Sequence, residues 1–75
     1  MRNIKREVTD FLVQNYKQRM TISENQPLDI DSLDKIEVAM WAEKEYGIEI
    51  YDEELFAWTF LSDIVNCIEN KTKQS

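Results

Sequence analysis

The sequence predicts an all-α fold: three main helices and one short helix, with a long loop between helices one and two. Apolar residues recur at helical spacing in three stretches of the chain. The single alternating run, Ile48-Glu49-Ile50, has no partner strand, so we expect an extended connector there. Seventy-five residues with one cysteine and no histidine predict a single small domain, residues 1–75, without disulfide or zinc staples.

The first helix is predicted over residues 2–16. Its apolar stripe consists of Ile4, Val8, Phe11, Leu12 and Tyr16. The periodicity stops over residues 18–31, where Pro27 pushes the preceding residue out of helical geometry. A connection this long is unusual in a small domain and is often functional. We expect Leu28 and Ile30 to pin it to the core.

The second helix is predicted to begin at Asp31 or Ser32. Asp31 can accept a backbone hydrogen bond as N-cap, and Asp34 stands three residues later in a capping-box position. Gly47 is the expected left-handed stop. The predicted apolar stripe consists of Leu33, Ile36, Ala39, Met40 and Tyr46.

Two apolar residues of the second helix, Val38 and Trp41, lie off that stripe. An exposed tryptophan often marks a contact site, so Trp41 is a candidate partner residue.

A short third helix is predicted around Glu53-Glu54-Leu55-Phe56, capped by Asp52. The fourth follows the stripe Phe60, Leu61, Ile64, Val65 and Ile68. We expect it to end near Lys71 and residues 71–75 to fray. Cys67 is interpreted as a reduced, small packing residue.

The formal charge of −6, from 15 acidic and 9 basic residues, constrains the partners. It disfavours nucleic acid and anionic membranes, which require cationic surfaces. It favours a protein with a basic patch, although solubility alone is an equally good explanation. No apolar run approaches the ~18 residues of a membrane span, and no signal-peptide core follows the N-terminus. We therefore expect a cytoplasmic protein without membrane insertion, present as a monomer.

Ser32 is the one candidate for a reactive atom. Without histidine, conventional triads are excluded, no metal site is expected, and no base is available to activate the hydroxyl. The chain is therefore predicted not to be an enzyme. From its position alone, Ser32 is either an N-cap or an attachment site.

Several segments together resemble the acyl carrier protein family: Asp31-Ser32-Leu33-Asp34, Ile36-Glu37, residues 43–50 and Asp52-Glu53-Glu54. The similarity runs from Leu28 to Ile68. It implies an acyl-carrier-like bundle in which Ser32 receives 4′-phosphopantetheine from coenzyme A through a phosphopantetheinyl transferase. The arm would hold acyl intermediates as thioesters and deliver them to acyl-loading and acyl-processing enzymes of fatty-acid, polyketide or related biosynthesis.

The resemblance also implies a docking surface for basic patches on those enzymes. Its candidate partner-binding residues are Asp31, Leu33, Asp34, Glu37, Met40, Trp41 and Glu43, although Leu33 and Met40 could equally belong to the core. The chain departs from the family at Asp29, where glycine is usual, and at Trp41 and Lys44 on the second helix.

Two alternatives stay open: an aminoacyl or peptidyl carrier of nonribosomal-type synthesis, and an unmodified small acidic interaction module. A long acyl cargo could enter the bundle, whereas a short one could stay in solvent. The candidates for lining such a cavity, or simply the core, are Phe11, Ile36, Ala39, Ile50, Phe56 and Ile64.

Overall fold

The computed structural model describes residues 3–16, 27–28 and 30–73, and this part of the chain is helical without strands. The four helices are α1 (Ile4–Tyr16), α2 (Ser32–Tyr46), α3 (Asp52–Leu55) and α4 (Leu61–Lys73). The all-α prediction is confirmed. Most of the predicted loop over 18–31 lies outside the described residues, and so does Asp29.

Helix α1 begins after Asn3, whose side-chain Oδ1 accepts a hydrogen bond from the Arg6 backbone N–H at 3.1 Å. The helix buries Val8, Leu12 and Tyr16 and packs mainly against α4. The stripe predicted for α1 therefore faces the core.

The core draws on all four helices and on the segments that connect them. Its buried apolar residues are Val8, Leu12, Tyr16, Val38, Ala39, Ala42, Ile50, Leu55, Trp58, Leu61, Ile64, Val65 and Ile68. Of the candidates for lining a cargo cavity, Ala39, Ile50 and Ile64 are buried, while Phe11 and Ile36 are partly buried. Phe56 is 47% exposed, so placing it in the core was wrong. It is the C-cap residue that follows the last residue of α3.

The predicted orientation of α2 was partly wrong. Val38, predicted off the stripe, is fully buried, whereas Leu33 is 71% exposed and Met40 64% exposed. Trp41 is partly buried rather than exposed, because its ring stacks on Phe11 with centroids 4.4 Å apart and planes 14° apart. Apolar residues occur around the whole circumference of α2, so their spacing alone does not select the core-facing side.

The N-cap of helix α3 lies one residue earlier than predicted. Tyr51, not Asp52, is the N-cap, and Asp52 is the first helical residue. The Tyr51 backbone N–H donates to the Glu54 carboxylate at 3.1 Å. Phe56 lies just beyond the helix as its C-cap.

Helix α4 begins at Leu61 rather than Phe60 and continues to Lys73. The Asp63 carboxylate accepts the backbone N–H of Phe60 at 2.8 Å, which fixes this start. Fraying from residue 71 was wrong for 71–73, since Lys71 Nζ lies 2.9 Å from Glu54 Oε1 and ties the last turn to α3. Residues 74–75 lie outside the described part. No helix in the described residues is long and apolar enough to cross a membrane.

Candidate functional site

A capping box fixes the N-terminus of α2, as predicted. Asp31 has extended backbone geometry, with φ −91° and ψ −177°. Its carboxylate accepts the Asp34 backbone N–H at 2.9 Å, and the Asp34 carboxylate accepts the Asp31 backbone N–H at 3.3 Å. Two N–H groups are thereby satisfied reciprocally, which gives the first turn of α2 a defined geometry.

Ser32 is the first residue of α2 and is exposed. Because Asp31 is the N-cap, the cap interpretation of Ser32 is not needed to explain how the helix starts. Among the described residues, none is hydrogen-bonded to the Ser32 hydroxyl. Because Ser32 is exposed, its side chain can be reached from solvent.

The residues on both sides of Ser32 are hydrogen-bonded to the connection between α3 and α4. The Leu28 backbone N–H donates to the Thr59 carbonyl at 2.7 Å. Lys35, in the first turn and a half of α2, donates from Nζ to the Phe56 carbonyl at 3.4 Å. The chain before and after Ser32 is therefore anchored to this connection by two hydrogen bonds.

An anionic group esterified to Ser32 would suit this position. The N–H groups of the first helical turn have no intrahelical acceptor, and the helix dipole places partial positive charge there. The neighbouring Asp31 carboxylate is a like charge, but it is engaged by the Asp34 N–H. The residues present therefore fit a phosphate ester on Ser32.

The predicted partner residues do not form one surface. Asp34 is only 5% exposed and belongs to the capping box. Glu43 is partly buried and its carboxylate accepts the Ile50 backbone N–H at 2.9 Å, so it supports the turn after α2. With Trp41 packed on α1, the exposed candidates are Asp31, Leu33, Glu37 and Met40.

Three of those residues share a stripe of α2 with Lys44, which is not among the predicted partner residues. Leu33, Glu37, Met40 and Lys44 are spaced four, three and four residues apart and are all exposed. This spacing puts them on one side of α2, and we call them the outer stripe. Spacing places Lys44 on this side of α2 once Val38 and Ala42 are known to face the core, so the sequence without the fold could not identify it.

Away from Ser32, a cleft of about 400 Å³ between α3 and α4 is lined by the polar side chains of Glu54, Cys67 and Lys71, among others. Lys71 lowers the pKa of the Glu54 carboxyl, and Glu54 raises the pKa of Lys71. Burial raises the pKa of the Cys67 thiol, which donates to Glu54 at 3.9 Å. The described residues contain no group of side chains that could hold a metal ion.

Comparison with known proteins gives the following matches. The family described as "Phosphopantetheine attachment site" matches residues 26–68. An acyl carrier protein of Thermosynechococcus vestitus is 43% identical over 44 residues, covering 59% of this chain and 54% of that protein. A meromycolate extension acyl carrier protein of Mycobacterium leprae is 38% identical over 48 residues, covering 64% and 42%. An acyl carrier protein of Thermobifida fusca is 40% identical over 42 residues, covering 56% and 53%. The aligned part thus spans about half the length of these relatives.

Proposed function

Because this chain belongs to the phosphopantetheine attachment site family, we propose that it is a carrier protein in which Ser32 is the attachment residue for 4′-phosphopantetheine. Proteins of this family are carriers rather than enzymes. The observation that carries the proposal is the Ser32 hydroxyl, exposed and without a hydrogen-bond partner among the described residues, at the start of a capped helix within the matched segment.

The residues around Ser32 have distinct tasks in this proposal. The capping box of Asp31 and Asp34 holds the backbone of the first turn in place. The N–H groups of that turn favour the negative charge of a phosphodiester on Ser32. The bound group supplies a thiol that can hold an acyl cargo as a thioester. Attachment to a fixed point raises the effective concentration of that cargo for an enzyme docked alongside.

We propose acyl groups as the cargo, in fatty-acid, polyketide or related biosynthesis. The names of the relatives support this class: all three are acyl carrier proteins, and one of them is a meromycolate extension acyl carrier protein. The partners would be a phosphopantetheinyl transferase and enzymes that load and process the acyl group. The intact mass of the chain purified from its source would identify the cargo, and an aminoacyl or peptidyl group would replace the acyl assignment.

The attachment itself is tested by intact-protein mass spectrometry. The chain is incubated with coenzyme A, Mg²⁺ and a broad-specificity phosphopantetheinyl transferase. We expect a mass increase of one phosphopantetheinyl group, mapped to Ser32 by peptide analysis and lost in Ser32→Ala. Ser62→Ala is the matched control, because Ser62 is also an exposed serine in the first turn of a helix. An unmodified wild type, or a modified Ser32→Ala, would refute the proposal.

A further inference from the structure

The outer stripe of α2 carries two charges of opposite sign on the side away from the core. Val38 and Ala42, which are fully buried, lie on the opposite side of the helix. Leu33 and Met40 expose most of their side chains and alternate with the charged Glu37 and Lys44. Exposed apolar side chains that share one helix face and are rimmed by polar residues can mark a protein contact surface, and Met is enriched in such surfaces.

Both charges of the outer stripe are available to a partner. Within the described residues, neither Glu37 nor Lys44 forms an ion pair or a side-chain hydrogen bond. They stand seven positions apart, which is about 10 Å along the helix axis. This is about one Debye length at physiological ionic strength, so a partner meets each charge separately.

The acidic character of this face is smaller than the sequence indicates. The carboxylates of Asp34 and Glu43 are occupied by backbone N–H groups and are buried or partly buried. On the outer stripe Glu37 is the acid and Lys44 the base. A uniformly cationic partner surface would be attracted at Glu37 and repelled at Lys44.

From this arrangement we infer that the enzyme acting at Ser32 docks on the outer stripe with a dipolar surface, which sets a cation against Glu37 and an anion against Lys44. Apolar recesses of the same surface receive Met40, between the two charges, and Leu33, on the Ser32 side of Glu37. Leu33 directly follows Ser32, so an enzyme that reaches the hydroxyl lies beside this end of the stripe. The inference rests on the proposed attachment at Ser32 and makes Lys44 a specificity-determining residue.

A structural role for Lys44 needs a control. Lys44 lies in the last turn of α2, where a cation favours the helix dipole. Lys73 is likewise an exposed lysine in the last turn of its helix, α4. Substituting Lys73 therefore reproduces both the change in net charge and the loss of a cation from the last turn of a helix, but away from the outer stripe.

The experiment measures kcat/KM for phosphopantetheine transfer by the transferase of the organism that encodes this chain. The substrates are wild type, Lys44→Gln, Lys44→Glu, Glu37→Gln and Lys73→Glu, each checked for folding by circular dichroism. We expect Lys44→Gln and Glu37→Gln to lower kcat/KM about two- to fivefold, mainly through KM and less at high salt. We expect Lys44→Glu to lower it further and Lys73→Glu to leave it near wild type.

The sign of the Lys44→Glu effect decides the inference. A uniformly basic partner would be served better by the added acid, so an unchanged or raised kcat/KM overturns the dipolar surface. A loss of equal size in Lys73→Glu also overturns it, since net charge would then explain the result. Wild type left unmodified would remove the proposed function itself, whereas a modified wild type indifferent to Lys44 removes this inference alone.

Binding without turnover separates docking from chemistry. In Ser32→Ala, which cannot be modified, titration with the transferase should give a Kd that Lys44→Gln weakens about two- to fivefold and Lys44→Glu weakens further. Sedimentation of the wild type should show a single species across concentrations. A dimer that Lys44→Glu dissociates would assign the outer stripe to contact between copies of this chain and overturn the inference.

Discussion

Trp41 should contribute to stability and not to docking, and Trp41→Ala tests this assignment. Its ring stacks on Phe11 at 4.4 Å and meets Tyr46 edge-on, with centroids 5.7 Å apart at 84°. The Phe11 contact joins α1 to α2, whereas the Tyr46 contact lies within α2. Removing the indole leaves the Phe11 ring without its stacking partner and exposes apolar surface on both helices.

The magnitude follows from partial burial. Truncating a fully buried tryptophan to alanine costs about 3–5 kcal/mol, so a partly buried one should cost about 2 kcal/mol. That figure includes roughly 0.5–1.5 kcal/mol for the stacked aromatic pair. In a domain of this size, a loss of about 2 kcal/mol lowers Tm by about 8–16 °C.

Urea unfolding followed by far-ultraviolet circular dichroism measures this cost, because fluorescence loses one of its two tryptophans in the variant. Trp41→Phe should retain part of the stacking and lie between wild type and Trp41→Ala. Met40→Ala is the matched control from the next position: with 64% of its side chain exposed, it should change the free energy of unfolding by no more than about 0.5 kcal/mol. A Trp41→Ala variant as stable as Met40→Ala, but slow with the transferase, would refute the reasoning and restore Trp41 as a partner residue.

Two further predictions concern the α3–α4 contact and the end of α2. Since Lys71 lowers the pKa of Glu54, the ion pair stabilises the fold above the unfolded-state pKa of the carboxyl and is lost as the pH falls through the lowered value. Glu54→Gln should therefore lower the free energy of unfolding by about 0.5 kcal/mol at pH 7, a figure discounted for the 32% exposure of the Glu54 side chain. In strong acid it should have no effect. A pH-independent difference in urea unfolding would contradict this. Gly47 has φ +66° with open space around its Cβ position, so Gly47→Ala should cost about 1 kcal/mol of backbone strain and Gly47→Asn less, which thermal unfolding would check. Equal stability of the alanine and asparagine variants would contradict the strain argument.

Local signals in the sequence were sufficient for the ends of α2. The capping box of Asp31 and Asp34 and the left-handed Gly47 involve residues that are neighbours in the chain, so their chemistry can be predicted without the fold. The burial of Val38 and the exposure of Leu33 could not be predicted in this way. They depend on where α1 and α4 pack, because α2 has apolar side chains on several sides.

Contacts between distant residues explain the remaining differences. Trp41 is covered by Phe11, thirty positions earlier in the chain, and no spacing within α2 signals this stack. Helix α4 extends beyond Lys71, where the ion pair between Lys71 and Glu54 of α3 stabilises its last turn. For the candidate site, Ser32 and its capping box could be predicted from local pattern and family resemblance. Dividing the candidate partner residues into exposed and buried ones needed the packed structure.

The net charge of the chain overstates the acidity of the proposed docking surface, the outer stripe. Several carboxylates accept hydrogen bonds within the fold and stabilise turns, helix starts and helix contacts: Glu7, Asp34, Glu43, Glu54 and Asp63. The charge of −6 still acts at long range and can steer a cationic partner toward the protein. At contact distance, however, the outer stripe presents one acid and one base. Selection among partners would then depend on Glu37 and Lys44 together, because a partner complementary to only one of them leaves the other unpaired.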